Sequence, residues 1–257
     1  MRQNSVKRRL RRGEPAFGTM IKEALSAGIV DALSLAGFDY FVIDMEHCPY
    51  SMRTVANILQ YARHTDLTGI VRVPKLEYFY IARALDAGAE GVWIPHVDTE
   101  QEARQLVSCA KYPPQGRRGA AVPLFKTKEF QQATDAASYF TRSNDEVLVI
   151  VQIESAEAVE NIESIVSVEG VDVAMMGPLD LSLDLGYPGQ RAHPEVKKAV
   201  QRVVDACQKF NRVSGTHLGD IDELRYWKGQ GMGMITYSYE VNMFIDKGKE
   251  ALKVLRE

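Results

Sequence analysis

The chain has 257 residues, 46% hydrophobic and 25% charged, an ordinary globular composition with enough apolar mass for a large core. Its formal net charge of -3 offers no overall positive field for nucleic acid. No apolar run is long enough to span a bilayer, and the charged start lacks the apolar stretch of a secretory signal, so the expected compartment is the cytoplasm.

In chain order, VKRRLRR (6–12) reads as a solvated first turn rather than an RNA-binding arm, because no aromatic residues interleave with its charges. AFGTM (16–20) is the first predicted strand, and the GTMIKEALSAG that ends it is no glycine-rich dinucleotide fingerprint. DYFVID (39–44) is the second, and SMRTVANILQYARH follows as a helix with Ser51 at its N-cap. GIVRVP (69–74) and GVWIP (91–95) are the third and fourth, and Thr99 with Glu102 opens the next helix as a capping box. Tyr112 to Glu146 breaks the rhythm with a basic, Pro/Gly-containing connection and then a helical pattern. VLVIVQI (147–153), VDVAMMG (171–177), VSGTHL (213–218) and MGMITYS (232–238) complete the strands, with SAEAVENIESIV and HPEVKKAVQRVVDACQKF as amphipathic helices between them. Several strands are apolar on both faces, as parallel strands under helices are. About eight such units fit a (β/α)₈ barrel, here a single domain over 1–257. Cys48, Cys109 and Cys207 form no CxxC pair, which suits a reducing compartment.

In such a barrel, chemistry sits at the carboxyl ends of the strands. These ends carry Asp44, Glu46 and His47, then Arg72, His96, Gln152 with Glu154, Asp180 and His217. Glu154 and Asp180 suit a hard divalent ion, and the competing reading makes them a first-turn glutamate and a helix N-cap. Arg72 in an apolar strand needs an anion, either substrate or a structural salt bridge. His47 beside Asp44 is either an oriented base or part of a capped loop, and Glu46 reads as solvent-facing or loop-structuring. No predicted strand ends in a lysine: Lys75 follows Pro74, and Lys126 and Lys128 lie in the irregular segment.

VIDMEHCPYS, IVRVP, LDAGAEGVWIP, AKYPPQGRRG, VQIESAEAVENI, VEGVDVAMMGPLDLSLDLGYPG and HPEV occur in register from about Phe17 to about Gly219. Together they resemble the HpcH/HpaI family of class II, metal-dependent pyruvate aldolases. The resemblance implies a barrel of the phosphoenolpyruvate/pyruvate type with a swapped C-terminal helix, assembled as homotrimers or hexamers. It implies a lyase of aromatic or sugar-acid catabolism that cleaves a 4-hydroxy-2-oxo acid to pyruvate and an aldehyde, with Mg²⁺, Mn²⁺ or Co²⁺ as cofactor and no nucleic acid or membrane as partner. It makes Glu154 and Asp180 the metal carboxylates, His47 the base, Asp44 the acid that orients it, and Arg72 the group facing the enolate oxygen. Gln152, Gly177, Pro178, Leu179 and Leu218 would line the keto-acid site, and Asp86 would reach a neighbouring subunit. The chain departs from the family pattern at His96, at His217, over Ala120 to Phe130 and over Tyr237 to Phe244. An oxaloacetate-type lyase or decarboxylase, or a ligand-binding barrel without catalysis, are the alternatives. The base His47 speaks against the last of these.

Overall fold

The computed structural model describes residues 2–120 and 136–257, so most of the Ala120 to Phe130 departure, with Lys126 and Lys128, lies outside the described residues. The strands are β1 (Ala16–Ile21), β2 (Tyr40–Asp44), β3 (Thr68–Arg72), β4 (Gly91–Ile94), β5 (Leu148–Ile153), β6 (Val173–Met176), β7 (Val213–Leu218) and β8 (Met234–Tyr239). They close into a parallel barrel in chain order, β1 pairing with both β2 and β8. The helices are α1 (Ser5–Arg11), α2 (Ala27–Leu35), α3 (Met52–Ala62), α4 (Tyr78–Ala87), α5 (Glu100–Ala110) and α6 (Ala136–Glu146). They continue as α7 (Ala156–Glu160), α8 (Ile162–Ser167), α9 (Pro178–Asp184), α10 (Pro194–Lys209), α11 (Ile221–Gly229) and α12 (Glu240–Leu255). The eight strands and the barrel read from the sequence are therefore those of the fold.

The doubly apolar strands follow from this layout. Every residue of β2 to β6 is buried. One face of each strand meets the helices, as with Ile43, Val71 and Val92 against Val55, Ile81 and Leu106. The other face fills the barrel interior, where Met20, Tyr40, Ile70, Trp93, Ile150 and Met175 pack together. Local signals place the helices. Ser51 accepts the Thr54 N–H at 3.2 Å, and Thr99 and Glu102 form the reciprocal capping box.

Two expectations change. VKRRLRR is no solvated turn: it forms most of α1, which closes the amino-terminal end of the barrel. Val6 and Leu10, spaced one turn apart, pack into the interior cluster. Lys7 is buried too, its Nζ donating to the Val147 carbonyl at 2.6 Å and to Asp172 Oδ2 at 2.8 Å. The apolar pair is hidden in the sequence by the charges around it. SAEAVENIESIV is two short helices rather than one, broken at Asn161, whose side-chain amide donates to the Asp98 carbonyl at 2.9 Å.

Candidate active site

The carboxyl ends of the strands gather the polar residues at one mouth, around a cavity of about 280 Å³. Its centre is an ion pair set by sheet register. Asp44 ends β2, Arg72 ends β3, and the two are register partners. The guanidinium grips the carboxylate with both prongs, Nε to Oδ1 at 3.0 Å and Nη2 to Oδ2 at 2.7 Å. Burial pushes the Asp44 carboxyl up, but Arg72, with help from Lys22, outweighs it and holds the group below the usual carboxylate range. Arg72 Nη1 also lies 3.0 Å from Glu46 Oε2 and donates to Gln152 Oε1 at 3.4 Å.

Asp44 does not orient the His47 imidazole. Its oxygens are taken by Arg72 and by the backbone N–H groups of Glu46 and His47, at 3.1 and 3.4 Å. The loop therefore turns on Asp44, while the His47 ring stands half-exposed on the cavity wall with Nε2 3.7 Å from Glu46 Oε2.

Glu46 is not solvent-facing. The same loop turn drives its side chain inward, to 10% exposure, between Arg72 and His96. Burial first, and then the nearby charges of Glu154 and Asp44, raise its carboxyl against the pull of Arg72 and His47. Its buried Oε2 makes no hydrogen bond and is held by the charge of Arg72 at close range, 3.0 Å away. Across from it stands Glu154, just after β5 and 3% exposed. His96 closes the group: Nδ1 lies 3.0 Å from Glu154 Oε1, and Nε2 lies 3.5 Å from Glu46 Oε1. Its backbone is left-handed at φ 52°, which turns its N–H onto Glu154 Oε1 at 2.8 Å. One ligand atom from each of Glu46, His96 and Glu154 falls within 4.8 Å of the others. Two carboxylates and an imidazole suit a divalent cation.

Asp180 stands outside that group, exposed in the first turn of α9 on the wall of the same cavity. Gly177, Pro178 and Leu179 lead into it, and Leu218 lines the cavity beside them. A Cβ at Gly177 would sit 2.8 Å from the Glu154 Cβ, so any larger residue would displace Glu154. Gln152 is held between neighbours, accepting from Trp93 Nε1 and donating to Glu154. Asp86, at the end of α4, is paired within the chain to Arg118 at 2.8 Å.

His217 also faces the cavity, its Nε2 2.9 Å from the Ser238 carbonyl. Burial pushes this imidazole down to about 4, so it is neutral, with Nε2 as donor. A lysine does end a strand at the mouth. β1 runs one residue further than AFGTM predicts, to Ile21, and Lys22 follows it with Nζ 3.4 Å from Asp44 Oδ2. Glu46, His96 and Lys22 were the residues the sequence undervalued, and their shared signal is position immediately beyond a strand end.

The description "HpcH/HpaI aldolase/citrate lyase" matches residues 22–247, which include this whole constellation. The chain belongs to that family. It is 34% identical over 247 residues to a 2-dehydro-3,6-dideoxy-6-sulfogluconate aldolase of Pseudomonas putida, covering 96% of this chain and 95% of the relative. It is 39% identical over 185 residues to a 5-keto-4-deoxy-D-glucarate aldolase of Shigella sonnei, covering 72% and 71%. The crystal structure of an HpcH/HpaI aldolase from Desulfitobacterium hafniense superposes with a TM-score of 0.92 at 33% identity, covering 98% and 96%. HpcH/HpaI aldolases are carbon–carbon lyases and generally depend on a divalent metal, which the Glu46–His96–Glu154 donor set fits.

Proposed function

We propose that the protein is a metal-dependent aldolase that reversibly cleaves a 4-hydroxy-2-oxo acid into pyruvate and an aldehyde. The observation that carries this reading is the Arg72 fork, locked on Asp44 with its remaining prong 3.0 Å from Glu46 of the Glu46–His96–Glu154 group. Glu154 with Glu46 and His96, and Asp180 from the facing wall, would hold Mg²⁺, Mn²⁺ or Co²⁺, which would supply Lewis-acid charge at the ketone.

The chain's own groups divide the remaining work. Backbone N–H groups at the start of α9, beyond Pro178, receive the substrate carboxylate. His47, half-exposed beside the cavity, takes the proton of the C4 hydroxyl. The C3–C4 bond breaks, its electrons pass to the ketone oxygen, and the aldehyde departs. Arg72 faces the oxygen that gains charge, and Asp44 keeps its fork from swinging away. Return of a proton to C3 gives pyruvate.

We also infer a homo-oligomer. In α12, Glu240 is the buried residue, whereas Phe244, Leu252, Val254 and Leu255 are exposed. An exchanged C-terminal helix in a trimer or hexamer would cover them. A panel of aldehydes offered with pyruvate and Mn²⁺, scored for condensation, tests the catalytic reading. No product from any aldehyde would reject it.

A further inference from the structure

In the closed order of eight strands, β1 stands opposite β5. Lys22 follows β1 and Glu154 follows β5, so the two face each other across the mouth. On the reading above, the 2-oxo acid head lies against Glu154 and the start of α9. A substrate that extends from there across the mouth ends beside Lys22, Ser238, Tyr239 and Asn242, which line the same cavity. Of these four, Lys22 alone carries charge.

The Lys22 ammonium is only loosely engaged. It lies 3.4 Å from Asp44 Oδ2, but Arg72 already grips that carboxylate at 2.7 and 3.0 Å. Arg72 takes both Asp44 oxygens and also meets Glu46 at 3.0 Å, so Lys22 is the more loosely paired of the two cations. The ammonium otherwise sits over the Tyr239 ring, 5.3 Å from its centre, with 24% of the side chain exposed. Its backbone, by contrast, is fixed. The buried Glu240 carboxylate accepts the N–H groups of Lys22, Glu23 and Ala24 at 3.0, 2.6 and 2.8 Å, and the Tyr50 hydroxyl donates to the Lys22 carbonyl. A fixed stem and a loosely paired, partly exposed ammonium lining the cavity make an anion reader.

We propose that Lys22 determines specificity by binding an anionic group, a carboxylate or sulfonate, at the substrate end remote from the 2-oxo acid. This rests on the aldolase reading for the placement of the head, but its test needs no turnover. With Mn²⁺ present, calorimetry compares 2-oxoglutarate and 2-oxo-4-sulfobutanoate with 2-oxopentanoate, which has no distal charge. The wild type should bind at least one anionic-tailed acid about tenfold or more tighter than 2-oxopentanoate, the scale of one charge-assisted hydrogen bond. The better of the two identifies the anion. K22M and K22Q should erase the preference, and K22R should keep it.

Equal binding of all three acids by the wild type overturns the proposal. So does a preference that survives in K22M and K22Q, or an equal loss for all three acids, which would mark Lys22 as a structural partner of Asp44. Failure of the aldolase reading shows separately, as absence of condensation by the wild type.

Discussion

One oxygen of Glu154 serves His96 twice: Oε1 accepts the His96 backbone N–H at 2.8 Å and stands 3.0 Å from that residue's Nδ1. The left-handed backbone at residue 96 is what allows both. An imidazole beside two carboxylates favours Co²⁺ and Mn²⁺ over Mg²⁺. We expect H96A to weaken Mn²⁺ and Co²⁺ binding by about 10- to 100-fold and Mg²⁺ binding much less. Calorimetric titration of the three ions checks this, and an unchanged Mn²⁺ affinity would remove His96 from the ion's surroundings.

Arg72→Lys should lower kcat by about 10²-fold or more, the scale of one oxyanion donor, because an ammonium cannot hold both Asp44 oxygens and also face the substrate. Steady-state kinetics decides. A variant with full kcat would leave Arg72 a structural ion pair.

Chelation should abolish cleavage, with Mn²⁺, Co²⁺ or Mg²⁺ restoring it. Borohydride added with pyruvate should leave activity intact. The position of Lys22 at the mouth gives this control force, since a reduced adduct on Lys22, seen by mass spectrometry, would replace the metal mechanism with an imine one.

Glu90 lies after α4, away from the strand ends that form the mouth. Burial raises its carboxyl to about 7, with Oε1 buried and unpartnered and Oε2 accepting the Gly69 N–H at 3.3 Å. The folded chain thus keeps a proton that the unfolded chain releases at about pH 4.3. Stability should fall as pH rises between those values, by at most about 4 kcal/mol, and level off above them. Urea midpoints at pH 5 and pH 8 should show this decline in the wild type, while E90Q should be flat and the more stable at pH 8.

Phe244→Glu should reduce the assembly state if α12 is exchanged between copies. Light scattering coupled to size exclusion reads this. A wild type that elutes as a monomer would reject the oligomer.

The fold was legible because buried parallel strands need no alternation, so runs such as VLVIVQI declare themselves by composition and length. Arg72 was legible for the opposite reason, as a charge inside such a run. Glu46 and His96 were not, because periodicity ends where a strand ends. Whether Glu46 turns in or out depends on Asp44 capturing the backbone of residues 46 and 47, and His96 reaches Glu154 through a positive φ that its residue type does not announce. Lys22 was missed by one residue of strand length, and α1 because its apolar pair is outnumbered by arginines.

Because α1 seals the amino-terminal end and large side chains fill the interior, traffic must pass through the mouth. A substrate seated head-first against Glu154 leaves its two fragments in a queue. The aldehyde, nearer the door, exits first, and pyruvate exits last. Release should therefore be ordered, with pyruvate competing against the substrate for free enzyme and the aldehyde giving a noncompetitive pattern.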